Sequence, residues 1–179
     1  ISVTPGLRSI DISNPNSEFL TFDQSTVPQL VDASVHTLIP DNQRDRLIIG
    51  TKYGVTILDP FNDLSTLLNL PTGIELNDMV RWSDDEGEYL IMLTNIGISI
   101  IEIENGIPLF DKFSFDDSES SYSMGSIIEL VELNTGSGNL DVMIFSNDDA
   151  WTTSISGMSI SPPVHVESLS NLLVNNAAN

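Results

Sequence analysis

The sequence contains no cysteine and few basic residues, and both shortages exclude classes of function. Without cysteine the chain forms no disulfide, uses no catalytic thiolate and provides no thiolate ligand for zinc. Its 6 lysines and arginines stand against 26 aspartates and glutamates, which gives a formal net charge of −20 at pH 7. Nucleic acids and anionic lipid surfaces attract basic side chains, so we expect neither as a partner.

Long apolar runs are also missing. No stretch approaches the roughly 18 apolar residues of a membrane-spanning helix, so we expect no membrane insertion in this region. What is present suffices for a globular domain, because 40% of the 179 residues are hydrophobic and can form a sizeable core. The surplus of carboxylates suits a protein kept soluble in salty surroundings, or one that meets cations or basic partners.

A strand–turn–strand segment recurs along the chain. Its copies lie at Arg46–Asp59, Tyr89–Glu102 and Asp141–Ser154, with a partial copy at Pro5–Asp11. Each full copy has two strands around a tight turn, and we expect positive φ at the equivalent turn residues Gly54, Gly97 and Asp149. A repeat of about 40 to 50 residues is typical of solenoid and propeller folds and therefore bears on the whole fold.

The same order of elements surrounds each hairpin. A short apolar strand precedes it, at Ser34–Ile39, Asp78–Trp82 and Ser126–Val131. A polar turn joins that strand to the hairpin, at Pro40–Asp45, Ser83–Glu88 and Asn134–Asn139. A fourth strand follows, at Glu18–Asp23, Leu64–Leu70, Ile107–Phe115 and Gly157–Val166. Each unit therefore has four short strands.

The sequence predicts an all-β fold, because β-branched runs such as Ile96–Ile103 disfavour helix. Four antiparallel strands repeated at this period predict a β-propeller of four-stranded blades, about three of them complete, with partial blades at both ends. We place a half blade at residues 1–33, blades at 34–78, 79–125 and 126–165, and the first strand of a next or closing blade at 166–179. A β-sandwich is the alternative, and it explains the strands but not their repeated order.

Two of the hairpins resemble known propeller repeats. Gly50–Asp59 is similar to the repeat of regulator-type sensor propellers, and Asn95–Gly106 is similar to the pyrroloquinoline-quinone-type repeat. The resemblance covers most of the chain as a pattern and implies an architecture of propeller blades, with no specific family. The Trp-Asp pairs of WD40 repeats and the paired glycines of kelch repeats do not occur in the sequence.

The partial blades leave two arrangements open. In the one we favour, the chain is part of a larger propeller, commonly built of about six to eight blades. In the other, the strand predicted at Glu167–Val174 completes the N-terminal half blade and closes a four-bladed ring.

Candidate ligands for a metal or a proton are few. His36 and His165 are the only histidines in the sequence, and we interpret both as ordinary strand or surface residues, with a ligand or acid–base role as the alternative. The candidate ligands for a hard cation such as calcium are the acidic turn residues Asp84, Asp85, Glu86, Asp116, Asp117, Asp148 and Asp149. None of these turns has the alternating spacing of a calcium loop, so we expect solvated turns and no cofactor.

Four aromatic residues are candidate binding contacts: Tyr53, Trp82, Tyr122 and Trp151. Packing within or between blades is the alternative for the two tryptophans. The sequence carries no Gly-x-Ser-x-Gly elbow, glycine-rich phosphate loop or His-Glu-x-x-His pair, so we predict no catalytic residue.

These observations predict a non-catalytic propeller segment of a larger, extracellular or cell-surface protein, serving as a rigid scaffold for protein binding or assembly. The expected partners are other protein chains or the remainder of its own propeller. Two alternatives stay open: the propeller domain of an enzyme acting on glycans or peptides, and the sensor propeller of a signalling receptor.

Overall fold

The computed structural model describes residues 7–9, 13, 20–22, 35–59, 64–104, 107–108, 120–134 and 139–167. The regular elements in these ranges are β-strands, apart from Glu167, which is helical. None of the described residues forms a helix long and apolar enough to cross a membrane. The chain divides into two compact units, Ile1–Gly73 and Ile74–Asn179.

The first unit contains a short hairpin and a four-stranded sheet. In the hairpin, β1 (Leu7–Ser9) pairs antiparallel with β2 (Leu20–Phe22). The first sheet consists of four antiparallel strands in chain order, β3 (Val35–Asp41), β4 (Arg46–Thr51), β5 (Gly54–Asp59) and β6 (Leu64–Asn69). Ile49 and Leu58 are buried on one of its faces, and Val35 and Leu47 pack against them.

The second unit contains two further antiparallel sheets. The second sheet consists of β7 (Leu76–Ser83), β8 (Glu88–Thr94), β9 (Gly97–Glu104), β10 (Ile107–Pro108) and β11 (Ser121–Ser123). The third sheet consists of β12 (Ile127–Asn134), β13 (Leu140–Ser146), β14 (Ala150–Ser156), β15 (Ser159–Ile160) and β16 (Val164–His165). In the second sheet β10 and β11 both pair with β9, and in the third sheet β15 and β16 both pair with β14. Each of these two pairs of short strands therefore occupies the position of a fourth strand.

The structure confirms the predicted all-β class and the antiparallel order of four strand positions. It corrects the fourth strands of the second unit. The strand predicted at Gly157–Val166 is interrupted around Pro162 and Pro163, because proline has no N–H to donate to the ladder. Of the strand predicted at Ile107–Phe115, Ile107–Pro108 is observed and residues 109–115 lie outside the described ranges. The strand predicted at Glu167–Val174 also lies outside them after Glu167.

The three sheets share an irregularity near the start of their first strands. Strand pairing shifts register after the first paired residue, which leaves an extra, bulged residue in each: His36, Asn77 and Ile128. In each sheet the residue before the bulge pairs with a hydroxyl residue at the end of the second strand: Thr51, Thr94 and Ser146. The repeat seen in the sequence therefore extends to details of strand pairing.

The same hydroxyl side chains hold the hairpin turns. Thr94 Oγ1 accepts hydrogen bonds from the N–H groups of Ile96 (3.3 Å) and Gly97 (3.2 Å) and donates one to the carbonyl oxygen of Gly97 (2.9 Å). Thr51 donates to the carbonyl oxygen of Gly54 at 3.0 Å. Ser146 Oγ accepts from the N–H of Asp149 at 3.0 Å. A side-chain hydroxyl thus satisfies backbone groups that a buried turn leaves unpaired.

Positive φ occurs at only one of the three predicted turn positions. Gly97 has φ 152°, and a Cβ there would collide with the carbonyl oxygen of Tyr122 in β11, so glycine is required. Gly54 and Asp149 do not have positive φ, and the expectation was wrong at both.

The second and third sheets pack face to face around one aliphatic core. The second sheet contributes Tyr89, Ile91, Leu93, Ile98 and Ile100, and the third contributes Ile127, Leu140, Val142, Ile144, Ile155 and Ile160. Side chains alternate between faces along a strand, so these residues share one face of each sheet. Leu90 and Met92, on the other face of β8, are also fully buried. The central strands of the second sheet therefore read as continuous apolar runs.

Replacing Thr94 with valine should destabilise the protein by about 1–3 kcal/mol, because the turn N–H groups of Ile96 and Gly97 lose their buried acceptor. Thr94→Ser keeps the hydroxyl and is the matched control, with a smaller expected loss. Urea unfolding followed by tryptophan fluorescence measures both. A valine variant as stable as the serine variant would contradict this role for the hydroxyl.

Candidate functional site

Asp84 joins two turns that belong to different sheets of the second unit. Its Oδ1 accepts hydrogen bonds from the N–H groups of Glu86 (2.8 Å) and Gly87 (2.9 Å) within the β7–β8 turn. Its Oδ2 accepts one from the N–H of Gly157 (3.0 Å), in the turn between β14 and β15. One carboxylate therefore both closes its own turn and ties the second sheet to the third.

The hydrogen bonds to Asp84 favour its ionised form. Partial burial by itself raises the pKa of this carboxyl, but the bonds from the backbone of Gly157, Glu86 and Gly87 and from the Tyr89 hydroxyl outweigh it. The net result is a pKa below the ordinary value of 3.8. The pKa of Tyr89 is raised by burial and then by the negative charges of Asp84, Glu86 and Glu102, so its hydroxyl keeps the proton that it donates.

Trp82 and Tyr89 form an aromatic pair beside this carboxylate. Their ring centroids lie 5.3 Å apart with the planes 27° from parallel, and the two residues are paired across β7 and β8. Gly87 lacks the Cβ that would press on the Tyr89 hydroxyl. Trp82 and Tyr122, both candidate binding contacts, are partly buried against the shared core. Their rings contribute packing at this place in the fold.

Asn77 provides a second polar link between the same two sheets. The bulge at the start of β7 presents its side chain, and Nδ2 donates to the Ser126 Oγ (3.0 Å) and to the Ile127 carbonyl oxygen (2.7 Å). Asn77 and Asp84 lie at opposite ends of β7, with the aliphatic core between them. Polar links at both ends fix how one sheet lies on the other.

His165, Trp151 and Asp149, which sequence reasoning treated separately, meet at the edge of the third sheet. His165 Nε2 lies 2.8 Å from Asp149 Oδ1, and the imidazole centroid lies 6.0 Å from the Trp151 ring. Strand pairing sets Trp151 opposite His165. Both side chains are more than two-fifths exposed, so this contact is expected to contribute less than about 1 kcal/mol to stability.

In the first unit, Tyr53 is the exposed member of the candidate aromatics. Its side chain is 46% exposed, at the β4–β5 turn, and the Lys52 Nζ lies 5.1 Å from its ring centroid. His36 is exposed at the bulge of β3.

The candidate cation ligands are dispersed. Asp84 makes the turn hydrogen bonds described above. Asp85, Glu86 and Asp148 are exposed, and Asp149 lies beside His165. Asp116 and Asp117 lie outside the described ranges. Within the part of the chain that the structure describes, no three carboxylates or imidazoles converge as a metal site would require.

The third sheet has an outward face, opposite the core it shares with the second. Successive side chains of a strand point to opposite faces of the sheet. Val142 and Ile144 of β13 lie in the core, so Met143 and Phe145 of the same strand point outward. A groove of about 370 Å³ lies on this face, with Leu133, Val164 and Pro162 among its apolar lining. At its polar end, Ser154 Oγ donates to Asp141 Oδ1 at 2.5 Å.

Sequence reasoning did not single out Asn77, Gly157 or the turn hydroxyls. The turn hydroxyls could have been identified from the sequence, since Thr51, Thr94 and Ser146 occupy the same position in the aligned repeats. The repeats contain no signal for Asn77 or Gly157, because both form hydrogen bonds to a neighbouring sheet whose position the sequence does not specify.

Asp84→Asn should lower the unfolding free energy at neutral pH by about 1–2 kcal/mol, because an amide nitrogen cannot accept the Gly157 N–H as a carboxylate oxygen does. The pKa of Asp84 is depressed by folding, so its ionised form stabilises the protein above pH 3.8, and this contribution is lost as the pH falls through the folded-state pKa. The difference between the two proteins should therefore shrink below about pH 4.

Tyr89→Phe is the matched control for this pH dependence. It removes one donor to Asp84 and leaves the three backbone bonds and the ring stack on Trp82, so its effect should be smaller. Urea unfolding at pH 7, 5 and 3 measures both variants. An Asp84→Asn difference that stays constant across this range would rule out the ionised carboxylate as the link.

No family model, no curated protein and no solved structure matches this chain. Its function must therefore be inferred from the arrangement of its own described residues.

Proposed function

We propose that the chain is a segment of a β-propeller, with the four-stranded sheets as its blades, and that it serves as a non-catalytic, rigid module for protein binding or assembly. The observation that carries this is the face-to-face packing of the second and third sheets, which share a strand order, a bulge position and a turn hydroxyl. Blades of a propeller stack in this way around an axis.

Rigidity is supported by how the sheets are joined. The aliphatic core between them is almost fully buried, and Asp84 and Asn77 fasten its two ends. Opening the two sheets would expose the core to water and break the hydrogen bonds of the Gly157 N–H and the Ile127 carbonyl oxygen, each of which contributes about 0.5–1.5 kcal/mol. A scaffold needs this resistance to relative movement of its parts.

Assembly is supported by the outward face of the third sheet. Val131 and Leu133 on β12 are 40% and 53% exposed, and Val164 is 64% exposed. Aliphatic side chains that lie together and open to solvent on a sheet face are typical of a surface that packs against another protein element.

Val131→Asp tests the assembly function. If another sheet packs on this face, the new carboxylate is desolvated in the contact, and either the unfolding free energy falls by about 1–3 kcal/mol or self-association is lost. Asn139→Asp, which adds the same charge at an exposed position just before β13, is the control. Urea unfolding measures the loss of stability, and sedimentation velocity measures the loss of self-association. Equal behaviour of the two variants in both measurements would contradict the proposal.

The proposal includes an extracellular or cell-surface location, which the net charge of −20 supports by keeping the module soluble at high ionic strength. Fractionation of the cells that produce the protein should recover it at the surface or in the medium. Recovery in the cytosol would contradict this location.

A further inference from the structure

The third sheet differs from the other two in containing no lysine or arginine. The last basic residue of this kind in the sequence is Lys112, and residues 113–179 contain nine aspartates and glutamates. Five of these acidic residues belong to the third sheet and its turns: Glu129, Glu132, Asp141, Asp148 and Asp149. The sheet therefore carries negative charge that no lysine or arginine of its own strands can neutralise.

The other two sheets pair a carboxylate with an arginine at the turn between their first two strands. In the first sheet, Asp41 and Arg46 are the last pair before the turn, and Asp41 Oδ2 lies 3.0 Å from Arg46 Nη2. In the second sheet, Glu88 belongs to the last pair before the turn, and its carboxylate contacts the Arg81 guanidinium. In the third sheet this place is held by Asp141.

Asp141 has a neutral partner where the other two sheets have an arginine. Its Oδ1 accepts a hydrogen bond from the Ser154 hydroxyl. No lysine or arginine among the described residues contacts either oxygen of this carboxylate. Asp141 is partly buried, so water solvates it less well than a fully exposed carboxylate, and a cation beside it is bound more strongly. Its Oδ2 can accept a hydrogen bond from an ammonium or guanidinium group that comes from another chain.

The groove on the outward face of the third sheet places aliphatic surface beside this carboxylate. Leu133 and Val164 line it with exposed fractions of 53% and 64%, and Pro162 lies at the same side as Val164 along the chain. Asp141 and Ser154 form its polar end. A lysine or arginine side chain has the same two parts, an apolar stem and a charged end. The groove is therefore complementary to a basic side chain.

The dimensions of the groove suit a short extended segment. Leu133 belongs to β12 and Val164 to β16, which pairs with β14, so the groove crosses three strand spacings, about 14 Å. An extended chain rises about 3.3 Å per residue, so about four residues cross this distance. The volume of about 370 Å³ lies near the lower end of the usual range for ligand pockets.

We propose that this groove binds an extended segment of another protein, and that a lysine or arginine of that segment pairs with Asp141. This rests on the proposed assembly function and names the chemistry of the partner. A second copy of this chain fits poorly, because each copy carries a charge of −20. Its basic residues are also few, and Arg44, Arg46 and Arg81 already pair with carboxylates of their own chain.

Peptide binding by the full chain tests the proposal. The probe is a short fluorescein-labelled peptide in which valine and lysine alternate, and a second probe carries arginine in place of lysine. Two control peptides replace the lysines with glutamate or the valines with serine. Fluorescence anisotropy measures the dissociation constant of each peptide, and circular dichroism checks that every protein variant keeps the β-type spectrum.

Asp141→Asn should weaken binding of the lysine and arginine peptides by roughly ten-fold, because a charge-assisted hydrogen bond becomes a neutral one. Asparagine keeps an oxygen that accepts the Ser154 hydroxyl, so we expect the variant to fold. The matched control is Asp85→Asn, which removes the same charge at an exposed turn of the second sheet and should change binding by less than about two-fold. Val164→Ser should weaken binding by about three-fold through lost apolar contact.

Three results would overturn the proposal. Neither basic peptide binds at concentrations up to about 1 mM. Asp141→Asn and Asp85→Asn weaken binding equally, which indicates non-specific attraction to the acidic chain. The glutamate or serine peptide binds as well as the lysine peptide, so that charge or aliphatic contact is not recognised.

The Val131→Asp variant separates failure of this proposal from failure of the assembly function. If one of the three results occurs while Val131→Asp still destabilises the protein or abolishes its self-association, the assembly function stands and only the basic partner is wrong. If Val131→Asp also behaves like Asn139→Asp, the outward face does not assemble at all.

Discussion

The aliphatic core between the second and third sheets is the interaction on which the rest of the second unit depends. Exposing this face to water is unfavourable, because Ile91, Leu93, Val142 and Ile144 are fully buried in it. Face-to-face packing then decides where everything else lies. It sets the β14–β15 turn beside Asp84 and the start of β12 beside Asn77, although these residues are far apart in the sequence.

The polar links turn that packing into a defined geometry. Aliphatic contact is non-directional and tolerates sliding, whereas the bonds of Asp84 to Gly157 and of Asn77 to Ile127 each have one preferred distance and direction. Charge acts here through hydrogen bonding, since Asp84 stays ionised by accepting backbone N–H groups. The acidic turn at residues 84–88, which composition alone presents as a solvated cluster, thus contains a carboxylate that joins two sheets.

The proposed function rests on the same construction. The second sheet is buried on both faces, whereas the third sheet has one face in the shared core and leaves Val131 and Leu133 exposed on the other. The proposal is that this exposed face packs against a partner element. The aromatic residues support this interpretation, because Trp82 and Tyr122 pack on the core and Trp151 lies beside the pair of His165 and Asp149. Tyr53 is the exposed candidate that can still serve as a separate contact.

The sequence by itself determined the all-β class, the four-strand repeat and the hairpin positions, because these depend on local alternation, turn residues and β-branched runs such as Ile96–Ile103. The prediction of an unbroken fourth strand overlooked Pro162 and Pro163, although the missing N–H of proline is a local signal for a break, and the expectation of positive φ was wrong at Gly54 and Asp149. Only the tertiary structure decided that Asp84 meets Gly157, that Asn77 meets Ile127 and that His165 meets Asp149. Each of these contacts joins separate elements, and their approach is set by how the buried faces pack.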